Sequence, residues 1–492
     1  MLASDFASLA DLIRAHGRER ADKTAIVCGK DSLTYAELDR GMDRVAAALQ
    51  RDGVQPGEAV AILGANSLAY ALAFLGILRA GCVAAPLAPS ATPAQLAAMV
   101  TDCAAPVLFH DSAGPAIDTT SRKIALDSLD AWLAPEDAVA VHAEVGPDDP
   151  FNIIYSSGTT GTPKGIIQPH AMRWVHIARA PAGFGEAVTM VATPLYSNTT
   201  LVSFLPTLGW GGTVVLLPRF DARDYCIQAE KHRATVTMLV PVQYQRLMAL
   251  PDFDGFDLTS FQLKTCTSAP FPAALKAEVL ARWPGLLVEY YGMTEGGGTT
   301  VLVCNAHPDK LHTVGKPIEG QDIRLIDDDG REVPQGEVGE VVGRSGAMMS
   351  GYHRRDEATD AATWYDAKGN RFIRHGDIGR FDADGFLTLL DRKKDLIISG
   401  GFNIYPSDLE AVLAQHPGVA DCAVVGMPSE QWGETPFGFY VGDGASWEVL
   451  AWFNSQVGKT QRLAALEQVD ELPRNAIGKV LKRELREAWL AR

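Results

Sequence analysis

Residues 155–165 read YSSGTTGTPKG. Four hydroxyl side chains, Ser156, Ser157, Thr159 and Thr160, sit beside Gly158 and Gly161, and Thr162, a proline and Lys164 follow. Such a stretch has nothing to bury. Free backbone N–H groups, hydroxyl donors and little bulk suit phosphate oxygens, and Lys164 adds a point charge. The preceding run FNIIY reads as a buried strand, so the loop falls at a strand's C-terminal end, where α/β proteins bind ligands. For a lone glycine- and serine-rich stretch a flexible surface turn is the plainer reading; the strand in front and the lysine behind argue against it here. A Walker A loop needs glycine immediately before the lysine and Ser or Thr after it. Pro163 and Gly165 occupy those places, which disfavours a P-loop nucleotidase. The eleven histidines are dispersed without metal-ligand spacing.

The elements that must hold this loop follow from patterning. In residues 1–150, SLTYAELDRGMDRVAAALQRDG starts with a cap at Ser32 or Thr34 and carries Leu38, Met42, Val45 and Leu49 at helical spacing. AVAILG then reads as a buried strand, SLAYALAFLGILRAG as a helix and CVAAPLA as a strand. The alternation continues through VTMLVPVQYQRLMAL and FQLKTCTSAPFPAALKAEVLARW, which argues for layered α/β with largely parallel sheets. From about residue 322 short alternating runs broken by DG turns predict antiparallel hairpins, a β-barrel-like part. The last hundred residues read as a small α+β domain. The charged run DRKKD (391–395) marks the expected boundary, giving a large N-terminal domain over 1–391 and a C-terminal domain over 392–492.

Composition narrows the class. The 492 residues suffice for more than one domain, and 47% are apolar. A formal charge of −16 argues against nucleic-acid binding but leaves room for a single anionic small molecule gripped by local cations. Seven cysteines, an odd number without a CxxC pair, indicate a reducing compartment with neither a disulfide framework nor a zinc site. The N-terminus lacks a signal-peptide layout, AYALAFLGIL is too short to span a bilayer, and EAWLAR carries no lipidation or retrieval signal. The cytoplasm is the expected location.

YSSGTTGTPKG resembles the signature loop of the adenylate-forming superfamily, which includes acyl- and aryl-CoA synthetases, peptide-synthetase adenylation domains and firefly luciferase. YYGMTEGG (290–297), HGDIGRFDADGFLTLLDRKKDLIISGGFNIYPSDLE (375–410) and LPRNAIGKVLKREL (472–485) match later motifs in the right order, so the likeness runs over about 33–485. It implies a two-step reaction. A carboxylate attacks the α-phosphate of ATP, giving an acyl-adenylate and pyrophosphate, and a thiol then displaces AMP. ATP, Mg²⁺ and coenzyme A are the implied cofactors and partners, with a small carboxylic acid.

The resemblance also implies roles. Lys164 and the loop residues 156–162 form the β/γ-phosphate cradle. Tyr291 packs on adenine, with Tyr290, Gly292 and Met293 in the same nucleotide-binding motif. Thr294 contacts phosphate, and Glu295 holds Mg²⁺, with Thr159 as a further metal contact. Asp377 accepts the ribose diol and Arg392 reaches the ribose. Thr267, Ser268, Ala269 and Pro270 occupy the adenine and acyl-pocket strand. Lys479 bridges the carboxylate and α-phosphate, and the small domain rotates between half-reactions about Lys394. Gly400 and Gly401 let the pantetheine arm pass, and Trp432 resembles a tryptophan near the CoA nucleotide, although a core tryptophan reads equally well. Within these motifs, the neighbouring Lys393 reads as solvated charge, and Lys482 and Arg483 as part of an ordinary basic helix.

The sequence departs from the pattern at PLYSNTTL, where Ser197 replaces the histidine that many relatives place after the aromatic. Tyr196, Ser197, Thr267 and Ser268 then line the acyl pocket, and an aromatic or medium-length aliphatic acid is expected. GYHRRDEAT lacks the usual proline, with no expected catalytic consequence. The expected function is an acid–thiol ligase. Its alternatives are an adenylation enzyme loading a carrier protein in trans and a non-catalytic adenylate-binding sensor. The sequence leaves the oligomeric state open, a homodimer included.

Overall fold

The helix Tyr35–Arg51 follows from its own residues. Thr34 is the cap: its side chain accepts from the backbone N–H of Glu37, and the Glu37 carboxylate accepts from the backbone N–H of Thr34. Leu38, Met42, Val45 and Leu49 form one fully buried stripe, as their spacing predicts. Helix Leu68–Arg79 is apolar nearly all round and correspondingly buried on most sides. The computed structural model describes the chain apart from residues 1, 3, 157–163, 181, 400, 401, 476 and 477, and apart from the side chains of 156, 182, 403 and 460. No helix among the described residues is long and apolar enough to cross a membrane.

The chain divides into two compact units: Met1–His312 with Pro317–Asp322 and Gly343–Ile373, and Thr313–Lys316 with Ile323–Val342 and Arg374–Arg492. The expected boundary between residues 391 and 392 lies inside the second unit.

The first unit contains two sheets. One runs, edge to edge, through Gly351–Tyr352, Lys164–Pro169, Pro150–Ser156, Val83–Leu87, Ala59–Leu63, Val107–His110 and Arg122–Ala125. In the other, the adjacent strands Leu286–Tyr291, Leu263–Cys266, Val236–Leu239, Val188–Val191, Thr213–Leu216 and Thr24–Cys28 pair in parallel. This is the parallel, layered α/β arrangement that the alternating pattern predicts. Strand period two distributes the core. Val60 and Ile62 face a cluster that also takes Ile26, Val214 and Leu216 from the second sheet and Met42, Val45, Phe74 and Ile77 from the helices between. Ala59, Ala61 and Leu63 face the opposite way, onto Leu96, Met99 and Val100 of helix Pro93–Asp102.

Pro150–Ser156 and Lys164–Pro169 pair antiparallel, with Ser156 opposite Lys164. The glycine- and hydroxyl-rich segment therefore joins the two strands of a hairpin at the C-terminal end of the first. Residues 157–163 themselves lie outside the described residues.

In the second unit Arg374–Phe381 pairs antiparallel with Leu387–Arg392 through a turn in which Gly385 takes φ +82°, and Asp382 accepts there from the N–H groups of Asp384 and Phe386. A further sheet runs Phe402–Ile404, Ile397–Ser399, Gly433–Val441, Asp421–Ser429, with Ala465–Gln468 parallel to Gly433–Val441. Helices Pro406–Leu413, Ser446–Gln456 and Lys482–Leu490 accompany it. These are the hairpins and the small α+β part that the sequence predicts.

One buried charge cluster ties the first three helices. The Arg79 side chain is 4% exposed and reaches Asp43 at 2.7 Å, Asp39 at 2.6 Å and the carbonyl of Ala10 at 3.0 Å. Removing one partner of such a cluster strands the others. Arg79→Ala is expected to cost about 3 kcal/mol and to lower the urea midpoint of the first unit, followed by tryptophan fluorescence. An unchanged midpoint would show that Asp39 and Asp43 are adequately solvated without the arginine.

Candidate active site

Strand Lys164–Pro169 organises the candidate residues of the first unit. Alternation puts Lys164, Ile166 and Gln168 on one face. Ile166 is fully buried against Met349 and Ile373, with Met293, Met348 and Tyr352 around them, whereas Ile167 packs into the core on the other side. The Lys164 amine lies 5.2 Å from the centre of the Tyr352 ring, a cation–π contact. The Tyr352 hydroxyl donates to Glu295 Oε1 at 2.8 Å, and burial together with that carboxylate raises the phenol's pKa. Gln168 Nε2 donates to the carbonyl of Thr294 at 2.6 Å.

The segment bearing Thr294 and Glu295 follows strand Leu286–Tyr291. Its backbone is held at Glu295, whose carbonyl accepts from the N–H of Met349 at 2.8 Å. Gly296 follows with φ +80°, and a Cβ there would lie 1.9 Å from the carbonyl oxygen of Ala347. Only glycine fits that crossing. Tyr290 and Tyr291 end the strand half-buried, with the Tyr290 hydroxyl raised in pKa by burial. Met293 packs beside Ile166, and Gly292 is exposed.

The residues expected around the acyl group belong to the same unit. Tyr196 is half-buried, and desolvation pushes its hydroxyl to about 12. Ser197 caps helix Asn198–Trp210 through its carbonyl, which accepts from Thr200 and Leu201; its hydroxyl makes no cap bond. Ser268 adopts φ +82°, unusual for a residue with a Cβ, and shares a hydroxyl–hydroxyl hydrogen bond with Thr199. Thr267 and Ala269 are half-buried and Pro270 is exposed.

The second unit gathers the other group. Asp377 and Arg392 face each other across the hairpin, with Arg392 Nε 3.0 Å from Asp377 Oδ1. Lys394 sits in the turn that follows. Lys479 is presented by a tight turn in which Asn475 Oδ1 accepts from the Lys479 N–H and the Lys479 carbonyl accepts from the Asn475 N–H, each at 2.9 Å. Burial lowers the Lys479 amine to about 8. Arg392 and Lys394 add to that depression, while Asp377 and Asp395 oppose it. Lys479 is thus a desolvated amine with two cations and two carboxylates around it, and an arriving anion would restore its full charge.

Trp432 is 51% exposed in the turn between strands Asp421–Ser429 and Gly433–Val441, so it is not a core tryptophan. Lys393 and Lys482 are not merely solvated: Lys393 pairs with Asp328 and Glu340, and Lys482 with Glu410. Ser157, Gly158, Thr159, Thr160, Gly161, Thr162, Gly400 and Gly401, and the side chain of Ser156, lie outside the described residues. No group of three or more His, Cys, Asp or Glu positioned for a metal occurs among the described residues.

Sequence reasoning passed over Tyr352 and Gln168. Period-two alternation from Lys164 could have drawn attention to Gln168, because it places a polar amide on the same face as the lysine.

Two family models match the chain: AMP-binding enzyme over residues 13–353 and AMP-binding enzyme C-terminal domain over residues 408–479. The chain is 36% identical over 477 residues to a feruloyl-CoA synthase of Amycolatopsis sp, covering 94% of this chain and 95% of that protein. It is 32% identical over 498 residues to the fatty acid–[acyl-carrier-protein] ligase ScoC of Streptomyces coeruleorubidus, covering 96% and 95%. The structure of o-succinylbenzoate coenzyme A synthetase from Bacillus subtilis, in complex with ATP and magnesium ion, superposes with a TM-score of 0.84 at 26% identity, covering 96% and 98%.

The depressed amine makes a measurable difference. Competitive acetylation of Lys479 in the ligand-free protein is expected to titrate near pH 8, and Asp377→Asn to move that midpoint lower, since Asp377 holds the proton on. Because the folded value lies below the unfolded lysine value, stability linked to this group rises with pH from about 8 to the ordinary lysine range. A midpoint in the ordinary lysine range would contradict the clustering.

Proposed function

Because the chain belongs to the AMP-binding enzyme family, we propose that the residues gathered around Lys479, Asp377 and Arg392 in one unit, and around Lys164 and Glu295 in the other, carry out its adenylation chemistry. The protein is an ATP-dependent acid–CoA ligase. The acid's carboxylate attacks the α-phosphate, the bond to pyrophosphate breaks, and the CoA thiol then displaces AMP to leave the acyl thioester.

The observation that carries the residue assignment is the cationic cluster. A lysine amine lowered to about 8 beside Arg392 and Lys394 is pulled back to full charge by an arriving anion, and two anions must be brought together for adenylation. Lys479 therefore neutralises the carboxylate and α-phosphate as they approach. Asp377 accepts from the ribose hydroxyls, and Arg392, held against Asp377, reaches the same ribose. Mg²⁺, when bound, neutralises phosphate charge, and Glu295 with Thr159 would hold it. Tyr352 aims the Glu295 carboxylate by donating to one of its oxygens. Lys164 and the hydroxyl loop take the outer phosphates, and Tyr291 the adenine. Gly400 and Gly401 give passage to the pantetheine arm, and the exposed Trp432 ring takes the CoA nucleotide. We place the hinge at Lys394, with 392–492 as the moving body.

For the acid, an aromatic substrate is the preferred reading. Tyr196, Ser197, Thr267 and Ser268 give the pocket hydroxyls without a basic residue, which suits an arene bearing a hydrogen-bonding substituent better than a short dicarboxylate. The similarity to a feruloyl-CoA synthase supports that choice. The similarity to a carrier-protein ligase keeps a phosphopantetheinylated carrier as a second acceptor. All seven cysteines are free, which supports a cytoplasmic location.

A panel of aromatic and aliphatic acids scored by acid-dependent exchange of labelled pyrophosphate into ATP tests the reading. Aromatic acids are expected to lead, and CoA to outperform carrier proteins in AMP release; exchange with none of the acids would end the ligase assignment. Lys479→Ala is expected to lose exchange by on the order of a hundredfold or more while still consuming a supplied acyl-adenylate with CoA. Equal loss in both half-reactions would refute that role.

A further inference from the structure

Gln168 is fully buried and makes all four hydrogen bonds an amide allows. Its Oε1 accepts from Asn152 Nδ2 at 2.9 Å and from the Arg173 guanidinium. Its Nε2 donates to the Thr294 carbonyl at 2.6 Å and to Asn198 Oδ1 at 3.2 Å. The orientation of the amide is determined at both ends, because a guanidinium can only donate and a backbone carbonyl can only accept. Arg173 is 1% exposed and is itself steered by Asn152, whose Oδ1 accepts from Arg173 Nε at 3.0 Å. It lies over the Phe151 ring at 5.8 Å, and its remaining terminal nitrogen has no hydrogen-bond partner among the described residues.

Burying an arginine without a carboxylate is costly. A leucine at 168 would fill the space without demanding it. What the polar arrangement adds is direction: one side chain grips the backbone between Thr294 and Glu295 and, through Asn198, the residue next to Ser197. The same strand face meets this loop again through Ile166, in whose cluster Met293 packs, and Lys164 lies over the ring of Tyr352, whose hydroxyl donates to Glu295.

We propose that Gln168, oriented by Arg173 and Asn152, is a positioning residue that sets the Thr294–Glu295 backbone against the strand bearing Lys164 and couples it to the start of helix Asn198–Trp210. It acts on the adenylation half-reaction through Glu295 and Thr294, and touches neither substrate itself. The inference rests on the ligase reading above.

Gln168→Glu separates this role from simple packing. The new carboxylate keeps the volume and pairs with Arg173, so the fold is retained. It cannot donate to the Thr294 carbonyl, and the grip on the loop is lost. Calorimetry is expected to show Mg·ATP binding weakened by about tenfold and exchange of pyrophosphate slowed by at least as much, with thiolation of a supplied acyl-adenylate within about twofold of the parent. Arg173→Lys keeps the charge but not the fork that orients the amide, and is expected to move the same two readings in the same direction. Parent-like Mg·ATP binding and exchange in the folded variants, or equal loss in both half-reactions, overturns the positioning role alone. A parent chain that binds no Mg·ATP and exchanges with no acid overturns the ligase reading and this inference together.

Discussion

A desolvated amine beside two other cations is a high-energy arrangement that an anion relieves. Lys479 is in that situation, lowered to about 8 by burial, with Arg392 and Lys394 adding to the shift and Asp377 and Asp395 opposing it. Such a cluster persists only where the backbone leaves it no escape. Asn475 bonds to both the N–H and the carbonyl of Lys479, and the hairpin register puts Asp377 directly opposite Arg392. The charges are close because the strands and the turn hold them close, and the polypeptide is spared full repulsion because Asp377 takes one oxygen to Arg392 Nε.

The first unit meets a related demand in a different way. A carboxylate proposed to hold Mg²⁺ must be aimed. Glu295 receives a phenol hydrogen bond at 2.8 Å and has its backbone tied to Met349, while the next residue can only be glycine. Lys164 lies over the Tyr352 ring, a contact that leaves its charge available. One face of one short strand thus carries cation, apolar packing and amide, the cation to the Tyr352 ring and the amide to the Thr294 carbonyl. Period two is what makes three side chains in five residues point the same way.

The departures at the expected acyl side follow the same physics. Ser268 holds a left-handed φ that glycine would adopt without cost, and its hydroxyl bond to Thr199 offsets part of that strain. Tyr196 keeps a partly buried phenol whose ionisation is pushed to about 12, so it stays a neutral donor at any physiological pH.

Much of this was legible in the residues. Helical spacing located Tyr35–Arg51 and Leu68–Arg79, strand runs located the parallel sheets, and DG turns located the hairpins, because each depends on local backbone preference and on which face must be buried. The ordered motifs named Lys164, Glu295, Asp377, Arg392 and Lys479. The hairpin closure around 157–163 escaped the reading, because an antiparallel return and a turn into a helix begin with the same buried strand. Tyr352 and Gln168 escaped it because their partners, Glu295 and the Thr294 carbonyl, lie 57 and 126 residues away in the chain. Sequence determined which chemistry the side chains offer and which elements carry them, since both are local. Only tertiary structure decided which amide grips which carbonyl and which charges surround Lys479, since those contacts exist only once distant strands are in register.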